Sequence, residues 1–470
     1  MSPDKKHKCG VFGIWGPADS AYRIYTALFA QQHRGQESAG IAVSSRSHLE
    51  AHVGMGLVPE VFTAPALERL HGVAGIGHNR YSTTGSSHEC NAQPLLTEYI
   101  GGQVAVGHNG NLINAELLRD DYERRGHIFS TSTDTEVIIH LLASHHLSKK
   151  DPLVEALQHL QGAYSLVFLF HDRIEAARDP WGWRPLVLGR TDDGYWCVAS
   201  ETVALDALGA TLDREVEPGE IITLGDEGVS SRRFAEPQRP AHCIFEHVYF
   251  ANPSSLVFGD RVQLVREALG EKLADEAPVE ADFVIPMPDS GRSAALGYSR
   301  RSGIQFREGI VPNRYVGRTF IQPMQSQRDL GVQVKLNVVR EIIENKRVVV
   351  VDDSIVRGTT MKGKMAQLRR AGAREIHLRI SCPPIRHACY FGIDFPDPSK
   401  LIANNRTIEE IAAFLGIDSL YFLSQEGMLD CVSRPSEHYC TACYSGEYRI
   451  NVDRPVNKLA LERHQLRMFT

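Results

Sequence analysis

Short apolar runs separated by glycine, asparagine and serine fill the first half of the chain. Examples are GVFGI, AGIAVSS, VAGIGHNRYS, GQVAVGHNGN, YSLVFLF and LVLGR. Two longer stretches, SAYRIYTALFAQQH and DTEVIIHLLASHHL, repeat apolar residues at helical spacing. From Cys9 to about Phe234, this pattern predicts antiparallel strands with helices packed against them, which is an α+β domain.

The pattern changes after the polar, proline-bearing segment SRRFAEPQRPAH. DFVIPMPDS and NKRVVVVDDS are continuous apolar strands that end in acidic turns, and a helical stretch follows each. Strands buried on both faces are typical of parallel sheets, so the second half is predicted to be an α/β domain. We expect a leader at 1–8, one domain at 9–234 and a second at 235–470, which includes a cysteine-bearing C-terminal segment.

Composition limits the class of protein. The chain has 470 residues, 43% of them hydrophobic, and a net charge of -6 without a long basic block. These features argue against general nucleic-acid binding and against a membrane protein, because no apolar run is long enough to span a bilayer. Nine cysteines are too sparse and odd in number for a disulfide framework. We therefore expect reduced thiols and a cytoplasmic location.

The strand RVVVV is followed directly by Asp352 and Asp353 and then by a glycine-containing turn into a helix. Ligands of open α/β sheets bind beyond the carboxyl ends of the strands, where this turn must lie. The two carboxylates suit ribose hydroxyls or Mg²⁺. A capped loop with two solvated acids is the alternative. Backbone N–H groups at the helix start can surround a phosphate, and the residues concerned are Arg357, Gly358, Thr359 and Thr360.

A second strand ends in PMPDSGRS and places Asp289, Ser290 and Gly291 at the same edge of the predicted sheet. Together the two loops resemble the phosphoribosyl pyrophosphate (PRPP) site of type I phosphoribosyltransferases. The resemblance implies Mg²⁺ bound by Ser290, Asp352 and Asp353. It also implies that NRYVGRTFIQPMQSQRD is a lid whose Arg314 and Arg318 contact phosphate, although a surface loop with ordinary arginines has the same composition.

The candidate nucleophile is Cys9, which follows the polar leader MSPDKKHK and heads the strand GVFGI. An N-terminal cysteine can use its own α-amine, with a reference pKa of about 8, as the base. This chemistry requires removal of residues 1–8; a core cysteine behind a polar tail is the alternative.

Loops between the predicted strands of the first half carry further polar residues. Arg80 and Asp134 could hold the carboxylate and ammonium of an α-amino acid, while the Asn109 amide and the Gly110 backbone N–H could form an oxyanion hole.

These residues, with LFAQQHRGQESAG and RDPWGWRPLVLG, resemble the class II, N-terminal-nucleophile (Ntn) glutamine amidotransferase domain. Both halves in this order resemble the glutamine phosphoribosylpyrophosphate amidotransferase family. The resemblance implies an αββα sandwich, a glutamine pocket shaped by Arg34 and Gly35, and ammonia transfer to C1 of PRPP in purine biosynthesis. It also implies inhibition by purine nucleotides and a homotetramer.

The segment YCTACYSGEY spaces two cysteines as CxxC, which suits zinc, an iron–sulfur cluster or redox chemistry. One branch of the family has an N-terminal propeptide and a [4Fe-4S] cluster. The resemblance to that branch implies four ligands: Cys243, Cys389, Cys440 and Cys443. Zinc in the same site and an unligated CxxC remain alternatives. We interpret Cys382 and Cys431 as buried thiols and Cys90 and Cys197 as packing residues.

Two other functions fit parts of the sequence. One is a different class II glutamine amidotransferase, which would leave VVVVDDSIVRGTT unexplained. The other is a catalytically silent protein that binds PRPP or purine nucleotides, which predicts a damaged nucleophile or glutamine clamp. All the residues proposed for those roles are present.

Overall fold

The computed structural model describes residues 9–81, 87–146, 150–312, 336–394, 397–452 and 461–462. The predicted leader at 1–8 and the predicted lid contacts Arg314 and Arg318 lie outside these residues.

Thirteen strands of the described first half form two antiparallel sheets, as the alternation of apolar runs and turn residues predicts. The strands are β1 (Gly10–Trp15), β2 (Ser38–Ser44), β3 (Leu49–Met55), β4 (Ala74–Arg80), β5 (Leu95–Tyr99), β6 (Gly102–Leu112), β7 (Gly162–Leu169), β8 (Ile174–Arg178), β9 (Val187–Thr191), β10 (Trp196–Ala199), β11 (Ala210–Glu215), β12 (Glu220–Gly225) and β13 (Gly228–Arg233). The first sheet has the order β11-β9-β10-β1-β4-β2-β3, and the second has the order β13-β12-β8-β7-β6-β5.

Helices cover the outer face of each sheet. They are α1 (Ser20–Ala30), α2 (Val58–Val61), α3 (Ala64–Arg69), α4 (Ala115–Arg124), α5 (Thr135–His145), α6 (Pro152–Gln158) and α7 (Thr202–Asp206), with a 3₁₀ turn at Glu89–Asn91. Val11 points into the core between the sheets and packs in one cluster with Val167. The next residue, Phe12, points to the opposite face and packs with Ile24 of α1. The predicted αββα order of layers is therefore confirmed.

The second half contains a parallel sheet and several short strand pairs. Its strands are β14 (His242–Cys243), β15 (Leu256–Val257), β16 (Asp260–Arg261), β17 (Phe283–Pro286), β18 (Ile310–Pro312), β19 (Leu336–Val338), β20 (Arg347–Asp352), β21 (Glu375–Ile380), β22 (Ser419–Phe422) and β23 (Tyr439–Cys440). The parallel sheet has the order β17-β20-β21-β22. Val348 to Val351 are fully buried, as expected for a central strand covered on both faces.

Helices of the second half pack on this sheet and join it to the first half. They are α8 (Val262–Glu276), α9 (Arg292–Ser302), α10 (Arg340–Ile343), α11 (Thr359–Arg370), α12 (Ile402–Asn405), α13 (Ile408–Leu415), α14 (Gln425–Leu429) and α15 (Ala442–Ser445), with a π-helix at Glu246–Phe250 and 3₁₀ turns at Pro398–Lys400 and Ser436–His438. No helix within the described ranges is long and apolar enough to cross a membrane.

The two halves contact each other directly. The Asn111 side-chain amide at the end of β6 donates to the Tyr390 carbonyl at 2.9 Å. The Trp183 ring stacks on Phe391 with 4.4 Å between centroids. The second half therefore packs against the edge of the first half where β6 ends.

Candidate functional site

Cys9 lies where the chain enters β1, the central strand of the first sheet. Antiparallel pairing aligns Gly10 with Asn79 of β4, so the next residue of β4, Arg80, lies across from Cys9. The Cys9 thiol donates to the Tyr81 carbonyl at 3.5 Å. Burial raises the pKa of this thiol to about 11. A thiol with this pKa is protonated at neutral pH, so its attack on a substrate needs a base.

Three charged side chains surround the Cys9 thiol. Burial has the largest effect on the thiol pKa. Among the smaller effects, the charge of Arg80 lowers this pKa, whereas the charges of Asp134 and Glu37 raise it. The buried Arg80 places Nη1 3.6 Å from Glu37 Oε2. One cation and two anions beside a nucleophile can hold the carboxylate and ammonium of an α-amino acid. The structure thus brings the two predicted glutamine contacts, Arg80 and Asp134, to Cys9.

Asp134 is buried immediately before α5. Burial alone would raise its pKa, but the neighbouring His108 and the Leu112 backbone N–H hold the pKa of this carboxyl below its usual value. Asp134 Oδ2 accepts from the Leu112 N–H at 2.9 Å, and Oδ1 is 3.5 Å from His108 Nδ1. The carboxylate is therefore charged at neutral pH and can accept hydrogen bonds from an ammonium group.

Asn109 and Gly110, the predicted oxyanion hole, lie on β6 of the facing sheet. Asn109 Nδ2 is 3.3 Å from the Ser200 hydroxyl oxygen, which also accepts from the Val11 backbone N–H at 3.0 Å. Ser200 thus joins Asn109 to the strand that carries Cys9. A Cβ at Gly110 would be 1.9 Å from the Ala163 carbonyl oxygen, so only glycine fits this close approach of β6 and β7.

The side chain of Arg34 lies behind Cys9. Arg34 Nε donates to the Cys9 carbonyl oxygen at 2.9 Å, and its other nitrogens donate to Glu201 and Glu246. These contacts hold the main chain of Cys9, so Arg34 influences the predicted glutamine pocket through the nucleophile. A Cβ at the neighbouring Gly35 would be 2.5 Å from the Asn79 backbone, which explains a glycine there.

Asp289, Ser290 and Gly291 follow β17 at the carboxyl edge of the parallel sheet, beside the end of β20. Ser290 Oγ donates to Asp352 Oδ1 at 3.2 Å. A Cβ at Gly291 would be 2.2 Å from the Val351 carbonyl oxygen, so glycine allows this loop to contact β20. The two predicted PRPP loops therefore meet at one edge of the sheet.

Asp352 and Asp353 are both buried at this edge. Asp352 Oδ1 accepts from the Asp353 backbone N–H at 2.8 Å, and the Ser354 hydroxyl donates to Asp353 Oδ2. The alternative of two solvated acids is excluded by their burial. The turn then passes through Gly358, with φ +77°, into α11, which begins at Thr359. Arg357, Thr359 and Thr360 are at least partly exposed on this turn.

Tyr81 connects the surroundings of Cys9 with those of the PRPP loops. Burial raises its pKa, and its phenol also interacts with the charges of Glu37, Asp394 and Arg357. Glu37 belongs to the Cys9 site, whereas Arg357 belongs to the turn before α11. Charged groups from both candidate sites therefore act on the Tyr81 phenol.

Four cysteines line one cavity at the junction of the halves. Parallel pairing of β14 with β23 places Cys243 beside Cys440, and Cys389 and Cys443 complete the set, together with Arg184. Burial raises the pKa of Cys389 to about 11 and that of Cys440 to about 12. Burial and the other three thiols also raise the pKa of Cys443. The structure therefore brings together the four predicted cluster ligands.

The other cysteines have separate positions. Cys382 is buried near Cys443, as predicted, and donates to the Pro383 carbonyl. Cys431 is only partly buried, so its prediction as a buried thiol is wrong; it donates to the Gly427 carbonyl on α14. Cys197 is buried on β10, as expected for a packing residue, but Cys90 is exposed, so its prediction as a packing residue is wrong. Cys90 lies in a short 3₁₀ turn that points its side chain outward.

Among the described residues, no group of three or more His, Cys, Asp or Glu side chains is placed to hold a metal ion. This result covers the acidic edge of the parallel sheet and the four-cysteine cavity, so the magnesium and cluster assignments both remain predictions.

Known proteins match the chain over nearly its whole length. A family model for the glutamine amidotransferase domain matches residues 78–207, and one for the phosphoribosyl transferase domain matches 259–399. The chain is 49% identical to chloroplastic amidophosphoribosyltransferase 1 of Arabidopsis thaliana, covering 95% of this chain and 79% of that protein. It is 46% identical to the amidophosphoribosyltransferase of Bacillus subtilis, covering 94% of each. The chain belongs to the amidophosphoribosyltransferase family.

Solved structures agree with this family. One described as glutamine PRPP amidotransferase from B. subtilis complexed with ADP and GMP matches with a TM-score of 0.90 and 43% identity, covering 97% of this chain and 100% of that chain. The predicted resemblance to the amidophosphoribosyltransferase family is thus confirmed. A different class II amidotransferase is excluded because the match extends through the phosphoribosyltransferase half.

Sequence reasoning missed several residues around the sites of this family member. Ser200 and Tyr81 contact the Cys9 region, and Glu246 and Arg184 form a buried ion pair at the junction. A signal for Glu246 was present, because it is an acid inside the apolar run CIFEHVYFA. Ser200 gave no signal, since a serine after a strand is common in turns.

Proposed function

We propose that the two sites perform the two half-reactions of amidophosphoribosyl transfer, with Cys9 as the glutamine nucleophile. The overall activity follows from the family: the enzyme catalyses the first step of purine biosynthesis. The assignment of Cys9 rests on its position: Arg80 and Asp134 lie near its thiol, and Asn109 on β6 is joined through Ser200 to the strand that follows Cys9.

The first half-reaction begins with a base for the buried thiol. We propose that cleavage before Cys9 frees its α-amine, whose reference pKa of about 8 lets it accept the thiol proton. The sulfur then attacks the side-chain amide of glutamine, and Asn109 and Gly110 donate hydrogen bonds to the developing oxyanion. The proton leaves with ammonia, and water hydrolyses the thioester to glutamate.

Glutamine is held during this step by its α-amino acid group. Arg80 binds the carboxylate and Asp134 accepts from the ammonium, so the side-chain amide points towards Cys9. Arg34 and Gly35 complete the pocket indirectly, since Arg34 fixes the Cys9 main chain.

Ammonia then replaces pyrophosphate at C1 of PRPP, which gives 5-phosphoribosylamine. We propose that ammonia passes by Tyr81, because the surroundings of this residue include charges of both sites. Transfer inside the protein keeps ammonia from becoming ammonium in bulk water.

The proposed boundary between the halves, at 234 and 235, lies between the two matched family regions.

PRPP binds at the carboxyl edge of the parallel sheet in this proposal. Asp289 to Gly291 contact the pyrophosphate, and the turn from Arg357 to Thr360 surrounds the 5-phosphate with N–H groups. Asp352, Asp353 and Ser290 offer the oxygen ligands that Mg²⁺ prefers, and bound Mg²⁺ would neutralise charge on the departing pyrophosphate. Phosphate contacts from Arg314 and Arg318 remain a prediction.

We propose that the four-cysteine cavity holds a structural [4Fe-4S] cluster. Arg184 lines this cavity, and its buried Nε has no hydrogen-bond partner among the described residues, which suits an anionic ligand. Zinc bound by the same four thiolates is the alternative, since zinc also takes a four-cysteine site. A cluster instead distributes its thiolates over several irons. The chemistry of neither half-reaction moves electrons, so the group would stabilise the junction.

Regulation, assembly and location are also proposals. The matched B. subtilis structure is described as a complex with ADP and GMP, which supports inhibition of this chain by purine nucleotides. The homotetramer stays a prediction from the family resemblance. The nine cysteines form no disulfide bonds, which supports a reducing compartment such as the cytoplasm.

A single variant tests the assignment of Cys9. Cys9→Ala should abolish glutamine-dependent amidotransfer and leave amidotransfer from high ammonia concentrations at raised pH. Cys197→Ala, which removes another buried thiol from the same domain, should retain both activities. Retention of glutamine-dependent activity by Cys9→Ala contradicts the proposal.

A further inference from the structure

A fully buried ion pair connects the two halves directly behind Cys9. Arg34 Nη1 and Nη2 donate to Glu246 Oε2 and Oε1 at 3.0 and 3.1 Å. Both side chains have no exposed surface. Arg34 follows α1 of the glutamine amidotransferase half, whereas Glu246 begins the π-helix of the other half.

The third nitrogen of Arg34 reaches the nucleophile. Arg34 Nε donates to the Cys9 carbonyl at 2.9 Å. Because a guanidinium group is planar, a carboxylate that binds both Nη atoms also sets the direction of the Nε–H bond. Glu246, together with Glu201, therefore orients the guanidinium that holds the Cys9 main chain.

Two further charges complete the buried group. Arg184 Nη1 lies 3.4 Å from Glu246 Oε1, and Glu201 accepts from Arg34. Glu201 also accepts from the Asn252 backbone N–H at 2.8 Å, which is a second connection to the phosphoribosyltransferase half. The fully buried side chains of this group are two arginines and two glutamates, and the partly exposed His33 also contacts Glu201, with 2.9 Å between Nε2 and Oε1.

Stability alone does not account for these charges. Burial of an ion pair costs desolvation energy that the attraction often fails to recover, and apolar residues of similar volume commonly stabilise as well or better. A planar bidentate pair does supply a fixed geometry. In this pair, the fixed geometry orients the Arg34 Nε–H group towards the Cys9 carbonyl oxygen.

We propose that Glu246 is a positioning residue for the glutamine half-reaction, which it supports by orienting Arg34 on the Cys9 carbonyl. The π-helix that begins at Glu246 lies next to Cys243, so a displacement of this segment moves the nucleophile. This inference rests on the proposed role of Cys9 as the nucleophile.

Glu246→Asp is the test variant, because it keeps the buried charge and shortens the side chain by one methylene. The shorter carboxylate can bind both Nη atoms only if Arg34 moves away from Cys9. We expect kcat with glutamine to fall about tenfold to a hundredfold, the cost of a small misplacement of a reacting group. The KM for glutamine should change less than threefold, since Arg80 and Asp134 are unchanged, and ammonia-dependent turnover should fall less than threefold.

Glu175→Asp is the matched control. Glu175 is a buried glutamate of β8 that also binds two arginines, with Arg173 at 2.5 Å and Arg232 at 2.7 Å, but it does not contact the Cys9 segment. This variant should keep the ratio of glutamine-dependent to ammonia-dependent turnover. An unchanged ratio in Glu246→Asp, or an equal change in Glu175→Asp, overturns the inference.

Arg34→Lys is measured in parallel so that a Glu246 variant that fails to fold does not end the test. It keeps the positive charge and removes the Nε–H donor, and it should show the same selective loss of glutamine turnover. If Arg34→Lys keeps the wild-type ratio, the inference is wrong. Cys9→Ala in the same assay separates the two hypotheses, because its retention of glutamine turnover would refute the nucleophile itself.

Discussion

Arg34 Nε donates a 2.9 Å hydrogen bond to the carbonyl oxygen of Cys9, the residue 25 positions before it. The thiol of the same cysteine donates to the Tyr81 carbonyl at 3.5 Å. Cys9 is therefore held at both its main chain and its side chain. A nucleophile fixed in this way loses little freedom when it reacts, which is how positioning contributes to catalysis.

Removal of the Arg80 cation should weaken glutamine binding. Arg80→Met should raise the KM for glutamine about a hundredfold, since loss of one partner of a buried charged contact costs about 2–5 kcal/mol. Steady-state kinetics with glutamine and with ammonia measures the effect, and the ammonia reaction should change much less. Arg119→Met removes a similarly buried arginine that pairs with Glu123 on α4 and should leave the KM unchanged. Equal KM values for the two variants would refute the glutamine contact.

Removal of an acid at the PRPP edge should affect both nitrogen sources. Asp352→Asn should lower glutamine-dependent and ammonia-dependent amidotransfer by at least about a hundredfold, given that even outer-shell changes at metal sites cost 10–100-fold. Basal glutamine hydrolysis without PRPP should persist. Asp282→Asn changes a carboxylate at the opposite end of the same strands, where it accepts from the Arg347 N–H, and should retain activity. Normal amidotransfer by Asp352→Asn would contradict the assignment.

Gly392 of the second half packs against Gly110, a residue of the proposed oxyanion hole in the first half. A larger side chain at position 392 should therefore disturb the oxyanion hole. A Cβ at Gly392 would lie 3.2 Å from the Gly110 backbone and 3.0 Å from Arg184 Nη2. Gly392→Ala should lower the free energy of unfolding by about 1–2 kcal/mol through its φ of +98° and should reduce glutamine-dependent turnover. Gly228→Ala is the control, because its φ is +97° and no atom lies within 4 Å of its Cβ. Thermal unfolding should show similar losses of stability for Gly392→Ala and Gly228→Ala. If both variants lose glutamine-dependent turnover to the same extent, the contact at Gly392 does not support the oxyanion hole.

Loss of one thiol from the four-cysteine cavity should remove the proposed metal group. Cys440→Ser should purify without iron under anaerobic conditions, lack visible absorption and unfold at lower temperature, since bound metal contributes to folding. Cys431→Ser changes a thiol outside the cavity and should keep the iron. Stoichiometric zinc in the wild-type protein, or full iron content in Cys440→Ser, would contradict the cluster assignment.

Metal uptake at this cavity should depend on pH. Burial raises the pKa of Cys389 to about 11 and that of Cys440 to about 12, so both thiols are protonated at neutral pH. Ligation requires the thiolate, and each thiol must release its proton. Anaerobic reconstitution of metal-free protein with iron and sulfide should therefore be more complete at pH 8.5 than at pH 6.5. Uptake that does not change with pH would indicate other ligands.

Local structure was predictable from the pattern of apolar residues. The valine run became the buried strand β20, and the stretch DTEVIIHLLASHHL became α5, which begins one residue later and ends earlier than the pattern suggested. A helical period of 3.6 and a run of β-branched residues are local signals that need no tertiary information. Strand register was not predictable, because it depends on which faces pack together.

Contacts between distant segments limited the prediction of the site. The residue types around Cys9 followed from family resemblance, but the Arg34–Glu246 pair joins residues 212 positions apart, and no periodicity connects them. Arg34 was expected beside glutamine, and its donors instead hold Cys9, Glu201 and Glu246. The buried charges are visible only once both halves are folded together.

The most direct test of the central claim is to trap the covalent intermediate. Protein quenched with acid during glutamine turnover should be digested and analysed by mass spectrometry. The account predicts a γ-glutamyl thioester on a peptide whose first residue is Cys9. An adduct on another residue, or a fully active enzyme whose Cys9 is still joined to Lys8, would contradict it.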